Sequence, residues 1–105
     1  MPVIWTDPAK ARLKEIYSYY KITVSVALAK KIKTKIFAAT RYLAVNPLIG
    51  QEEELLKFKK QGHRYLVEGN YKIIYLPVKK KVYILDVFDT QQNPVKMTAL
   101  PDLPK

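Results

Sequence analysis

The residues of this chain that could do chemistry are cations, not nucleophiles or metal ligands. Lys57, Lys59 and Lys60 lie within four consecutive positions, and such a cluster can attract phosphate oxygens. The same run is also typical of a solvated loop, which is the simpler interpretation. The chain has no cysteine and one histidine, His63. Thiol chemistry and disulfides are therefore excluded, and we expect no metal and no cofactor.

The charge balance points to an anionic partner. The 105 residues carry 19 Lys and Arg against 9 Asp and Glu, a net charge of +10. Such a field attracts polyanions or an acidic protein. The charge is spread along the chain, however, so a lysine-rich surface is an equally simple explanation. We expect one domain over 1–105. No apolar run is long enough for a membrane span and no signal peptide is evident, which favours a cytoplasmic location.

Two amphipathic helices are predicted in the first half of the chain. Asp7 followed by Pro8 indicates a helix start, because Asp accepts from free N–H groups and Pro suits the first turn. Apolar residues then recur at helical spacing over 8–21, and again over 24–45 after a short break. Asn46-Pro47 ends the second helix, because the residue before proline avoids the helical conformation. The two helices should form an antiparallel hairpin.

Strands are predicted on both sides of this hairpin. A short apolar run at 3–5 indicates the first strand, and runs rich in Val, Ile and Tyr indicate three more at about 63–68, 71–78 and 82–89. Gly69-Asn70 is a strong hairpin turn signal, and a run of three lysines forms the next turn. The last strand is apolar on both faces, which predicts a central position. Strict alternation places Val82, Ile84 and Phe88 on one face and Tyr83, Leu85 and Val87 on the other.

These elements predict an α+β fold of order β-α-α-β-β-β. The apolar stripes of the helix hairpin must be buried, and a small antiparallel sheet provides the complementary face. The result is a two-layer domain with an irregular tail at about 94–105. The expected core residues are Leu13, Ile16, Leu28, Ile32, Ile36, Ile73, Ile84 and Val87.

The order and spacing of several motifs are specific. They are V-I-W-T-D-P-A-K-A-R-L-K-E-I-Y-x-Y-Y at 3–20, L-x-x-N-P-x-x-G at 43–50, R-x-L-V-x-G-N-Y-x-I-I-Y at 64–75 and V-Y-I-L-x-V-F at 82–88. Together they resemble the RelE/ParE toxins of bacterial type II toxin–antitoxin modules, over nearly the whole chain. The first motif resembles the ParE-like branch.

This resemblance implies a partner and a choice of target. Toxins of this kind are held inactive by a cognate antitoxin with an acidic, partly disordered segment, in a hetero-oligomer. A +10 toxin suits such a segment, which gains charge complementarity and apolar burial when it folds on binding. RelE-like members cleave messenger RNA in the ribosomal A site. ParE-like members poison DNA gyrase and are not nucleases.

The nuclease alternative requires acid–base groups and cations around the scissile phosphate. Lys72 falls where the RelE-like branch carries an arginine, Arg64 matches a family arginine, and His63 and Tyr65 lie near two further basic positions. If the protein is a nuclease, His63, Arg64 and Lys72 are the catalytic candidates. Candidate phosphate or target contacts are Lys57, Lys59, Lys60, Arg64 and Lys72.

Each of these candidates also has a plainer explanation. His63 fits a polar surface group, Arg64 a cross-strand ion pair, and Lys72 a solvated lysine on an outer face. Gln92 occupies the area of a basic residue in nucleases, and neither a tyrosine nor a histidine follows Tyr83. The acid–base group expected near the C-terminus is therefore missing.

The resemblance and the missing acid–base group thus favour a toxin that inhibits gyrase over one that cleaves RNA, and they leave open whether the protein is an enzyme. The alternatives are a ribosome-dependent mRNA endonuclease, or a degenerate toxin that only binds its antitoxin and regulates its operon. If gyrase is the target, the exposed contacts are expected at 89–97 and in the tail.

Overall fold

The computed structural model describes residues 1–100 and 103. A hairpin of two helices lies on a five-stranded sheet with the strand order β1-β5-β4-β3-β2. The strands are β1 Val3–Trp5, β2 Gln51–Glu52, β3 Arg64–Glu68, β4 Tyr71–Val78 and β5 Lys81–Asp89, and the helices are α1 Asp7–Thr23 and α2 Val26–Arg41. Short 3-10 helices cover Tyr42–Ala44, Glu54–Lys59 and Pro94–Ala99. No helix within the described residues is long and apolar enough to cross a membrane.

The two helices begin at side-chain caps. Thr6 caps α1, because its Oγ1 accepts from the amide of Ala9 at 3.4 Å, so the cap lies one residue before the predicted Asp7. The same hydroxyl donates to the carbonyl oxygen of Ile84 at 2.7 Å, which ties the helix start to the sheet. Ser25 caps α2 and accepts from the amide of Leu28 at 3.1 Å.

The meander of β3, β4 and β5 is antiparallel as predicted, and β5 is central. It pairs in parallel with β1 and antiparallel with β4. Strand β2 was not predicted. The pairs Ile74↔Asp86 and Tyr75↔Ile84 leave Leu85 as an extra residue in β5, a β-bulge. The bulge reverses the predicted alternation, so that Val87 faces the helices and Phe88 faces the opposite side.

Both faces of the sheet bury apolar residues. The helix-side cluster contains six of the eight predicted core residues: Leu13, Ile16, Ile36, Ile73, Ile84 and Val87. Of the other two, Ile32 is partly buried against this cluster, and Leu28 is half-buried outside it. The outer cluster contains Leu56, Ile74, Leu76, Leu85, Phe88 and Met97. Met97 is buried by the 3-10 helix Pro94–Ala99, where an irregular tail was expected. Positions 101, 102, 104 and 105 of that tail lie outside the described residues.

Gly50 allows the chain to approach the sheet closely. Its amide donates to the hydroxyl of the buried Tyr75 at 2.9 Å. A Cβ at this position would lie 2.6 Å from both the Tyr65 carbonyl oxygen and the Tyr75 hydroxyl. Burial raises the pKa of Tyr75, so the hydroxyl stays protonated and available for hydrogen bonding. Only glycine fits here without displacing the backbone.

Candidate functional surfaces

Lys72, the first candidate phosphate contact, is held by a buried carboxylate. Its Nζ lies 3.1 Å from Oε2 of Glu53 and 4.2 Å from the centroid of the Tyr65 ring. Glu53 is 3% exposed, and its side chain also accepts from the amide of Leu55 at 3.3 Å. The pair lies between β4 and the segment after β2, so Lys72 neutralises a charge that the fold itself buries.

Arg64, the second candidate, binds backbone carbonyls. Its Nη1 donates to the carbonyl oxygen of Gly50 at 2.7 Å and to that of Leu48 at 3.4 Å. The guanidinium therefore holds the loop that connects α2 to the sheet. The expectation that Arg64 pairs with a carboxylate across the sheet is wrong, because its partners are two backbone carbonyl oxygens.

The three clustered lysines do not converge on one point. Lys57 lies 3.1 Å from Glu54 and 3.7 Å from Glu52, and the hydrogen bond that it donates to the Glu54 carboxylate raises the pKa of Lys57. Lys59 donates to the carbonyl oxygen of Leu100 at 2.6 Å, which joins the two outer 3-10 helices. Lys60 is exposed in the left-handed conformation at the end of its helix. The cluster thus lies at the end of the 3-10 helix Glu54–Lys59, where Lys57 and Lys59 bind groups of the protein.

His63 is buried, which corrects the expectation of a surface group. Its carbonyl oxygen accepts from the amide of Glu53 at 2.9 Å. The Lys72 side chain and the His63 backbone therefore contact Glu53, and the Tyr65 ring contacts Lys72, whereas Arg64 points to the loop at 48–50. Sequence reasoning missed Glu53, whose only signal was its place within an acidic triplet. Among the described residues there is no group of three or more His, Cys, Asp and Glu that could hold a metal.

A lysine-flanked groove lies on the outside of the helix hairpin. Its volume is about 530 Å³. The rings of Trp5 and Phe37 lie 5.0 Å apart on one side, and the Lys33 Nζ lies 5.4 Å from the Tyr17 ring centroid on the other. We call this the hairpin groove; its lining residues are Trp5, Lys10, Leu13, Lys14, Tyr17, Lys33 and Phe37. An apolar floor with cationic rims fits an acidic amphipathic segment.

A second apolar surface runs along the edge of the sheet. Strand β2 pairs with Arg64 and Tyr65, so within the described part of the chain residues 66–68 of β3 have a strand neighbour on one side only. A groove of about 400 Å³ lies between this edge and α2 and includes Tyr42 and Val67. Such an edge can accept an extended segment as an additional strand.

Comparisons with known proteins agree with this architecture. A family model described as the ParE toxin of the type II toxin–antitoxin system parDE matches residues 3–94. Among solved structures, a chain described as the chromosomal ParDE TA system from P. aeruginosa is similar, with a TM-score of 0.74 and 23% identity over 87% of this chain and 97% of that one. A search of curated proteins found no match.

Proposed function

The chain belongs to the ParE toxin family, and from this premise we propose that it is a toxin that inhibits DNA gyrase and does not cleave RNA. It acts in the cytoplasm and is neutralised by a cognate antitoxin. The proposal rests on the contacts of two cations with the protein itself: Lys72 pairs with the Glu53 carboxylate, and Arg64 binds the Gly50 carbonyl oxygen.

A nuclease needs cations that are available to the charge developing on phosphate. To bind phosphate, Lys72 would have to leave Glu53 at 3.1 Å, and the buried carboxylate would lose its counter-ion. Breaking a fully buried pair costs about 3–5 kcal/mol, and for Lys72, which is partly exposed, the cost is roughly 2 kcal/mol. Arg64 would likewise have to release the Gly50 carbonyl oxygen at 2.7 Å. These contacts support a structural role for both cations.

One observation favours the mRNA endonuclease as a second candidate. The Lys72 ammonium lies 3.1 Å from the Glu53 carboxylate and 4.2 Å from the centroid of the Tyr65 ring, and the backbone of His63 pairs with that of Glu53. Groups of these types can act as general acids and bases. The burial of His63 and Glu53 counts against direct contact with an RNA substrate.

Toxin expression in cells separates these two functions. The chain is expressed as wild type, as His63→Ala and as Lys72→Met, and growth, messenger RNA ends and plasmid supercoiling are followed. We expect growth arrest, altered supercoiling and intact messages, with both variants toxic in proportion to their folded fraction. Codon-phased cuts that disappear in Lys72→Met would contradict the proposal. If growth is unaffected while the chain still binds its antitoxin, the protein is a degenerate toxin.

The antitoxin is proposed to place an acidic segment in the hairpin groove. Lys10, Lys14 and Lys33 flank its apolar floor. Lys14→Glu/Lys33→Glu should slow association with the antitoxin, because steering depends on the charge at the docking site. The matched control Lys79→Glu/Lys80→Glu makes the same charge change on the β4–β5 turn and should have a much smaller effect. Equal slowing by both variants would indicate that net charge, not the groove, steers binding.

A further inference from the structure

The tip of the helix hairpin, residues 19–26, presents large apolar side chains to solvent. Ile22 and Val24 are 83% and 61% exposed, and Tyr19 and Val26 are exposed as well. The turn is ordered, because the amides of Val24 and Ser25 both donate to the Tyr20 carbonyl oxygen, at 2.9 and 3.0 Å. Apolar clusters exposed on an ordered element mark interaction sites.

The tip projects beyond the end of the sheet. In α1, Leu13 and Ile16 are buried in the core, and the Tyr20 hydroxyl lies 3.5 Å from the Tyr71 hydroxyl at the start of β4. Residues after Tyr20 continue past this contact, and 21–27 are all exposed. A partner can therefore reach Ile22 and Val24 without disturbing the core.

The charge near the tip specifies the chemistry of the partner. Lys21 lies in the last turn of α1, Lys30 and Lys31 lie in the first two turns of α2, and residues 16–41 contain no carboxylate. A complementary surface is therefore acidic around an apolar depression. The ring of Tyr19 lies 5.2 Å from that of Tyr20 in an edge-to-face arrangement, and tyrosine is a residue type enriched at binding hot spots.

We infer that the hairpin tip is the contact through which this toxin holds its protein target, entering an apolar pocket with an acidic rim. The inference rests on the proposed function, in which that target is DNA gyrase. A protein pocket fits better than a lipid surface. Helices that lie on membranes present an apolar face along their length. In α1 and α2 the apolar stripes pack in the core, and the large apolar side chains most exposed in this part of the chain lie at the tip: Tyr19, Ile22, Val24 and Val26.

The test uses the full chain, purified gyrase holoenzyme and the double variant Ile22→Ser/Val24→Ser. The control Val45→Ser/Leu48→Ser removes two apolar side chains of matched exposure, 84% and 61%, after the 3-10 helix Tyr42–Ala44. We expect the tip variant to keep the wild-type denaturation midpoint and to lose roughly 30-fold or more in affinity for gyrase. The control should bind gyrase as wild type does.

Other outcomes overturn the inference. If Ile22→Ser/Val24→Ser inhibits gyrase as well as wild type, the tip is not the contact. If Val95→Ser abolishes binding while the tip variant does not, the contact is the C-terminal segment. If wild type binds vesicles containing phosphatidylglycerol through Ile22 and Val24 and the tip variant still binds gyrase, the tip is a lipid contact. A wild-type protein that never inhibits gyrase would instead refute the proposed function.

Discussion

Replacing Lys72 with methionine tests whether this cation stabilises the fold or serves catalysis. Methionine keeps a long apolar stem but removes the charge that lies 3.1 Å from the buried carboxylate of Glu53. Loss of one partner of a buried pair costs about 3–5 kcal/mol. The Lys72 side chain is 26% exposed and Glu53 keeps the amide of Leu55 at 3.3 Å. Because water and this amide offset part of the loss, we expect Lys72→Met to lower the free energy of unfolding by roughly 2 kcal/mol.

For a domain of this size, that loss corresponds to a fall of about 8–16 °C in Tm. The assay is urea unfolding monitored by circular dichroism, with Lys31→Met as the control because Lys31 is exposed on α2. The double variant Glu53→Gln/Lys72→Met removes both charges and should recover about half of the loss or more, since no unpaired charge stays buried. Wild-type stability in Lys72→Met combined with abolished toxicity would refute the structural role.

Further predictions concern the core, the backbone, pH and salt. Ile36→Ala should lower the free energy of unfolding by about 2–5 kcal/mol. Val45→Ala, at an exposed site, should lower it by about 0.5 kcal/mol or less. Equal losses of the two variants in urea unfolding would place Ile36 outside the core. Gly50→Ala should lower the free energy of unfolding by about 3 kcal/mol, because the new Cβ would approach two oxygen atoms to 2.6 Å and strain a hydrogen bond. Gly62→Ala should lower it by about 1 kcal/mol, because its φ is positive although no atom lies within 4 Å of the new Cβ. The reverse order of the urea midpoints would refute this packing. Burial raises the pKa of Tyr71 above its ordinary 10.0. As the pH rises, the unfolded chain therefore loses this proton before the folded chain does. The contribution of Tyr71 to the free energy of unfolding is constant below pH 10 and falls by up to about 1.4 kcal/mol per pH unit above it. Tyr71→Phe should flatten that fall, and an unchanged slope in unfolding measurements across this range would contradict the assignment. Antitoxin association, measured by stopped flow, should slow as salt rises, because exposed charges are screened over about 10 Å at 0.1 M; a rate independent of salt would count against steering.

The sequence predicts the hairpin and the meander because their signals are local. Apolar spacing over one or two helical turns identifies α1 and α2, and the Gly69-Asn70 turn specifies the pairing of β3 with β4. The bulge at Leu85 has no such signal, since a two-residue alternation is equally consistent with a regular strand. This is why Val87 and Phe88 were assigned to the wrong faces.

The candidate site depends on contacts between distant residues. Glu53 meets Lys72 only because the segment after β2 crosses the outer face of the sheet, and Met97 is buried only because the last 3-10 helix returns to it. No periodicity or motif in the sequence encodes these pairings. The sequence therefore supplies the candidate cations but not their partners, and the partners decide between phosphate binding and structural support.

A supercoiling assay tests whether this toxin of the ParE family acts on gyrase, as we propose. Purified protein is added in increasing amounts to gyrase, ATP and relaxed plasmid, and the supercoiled product is resolved on a gel. We expect inhibition that rises with toxin concentration and is reversed by the cognate antitoxin. Undiminished supercoiling at every toxin concentration, by a protein that arrests growth and cuts ribosome-bound messages, would contradict it.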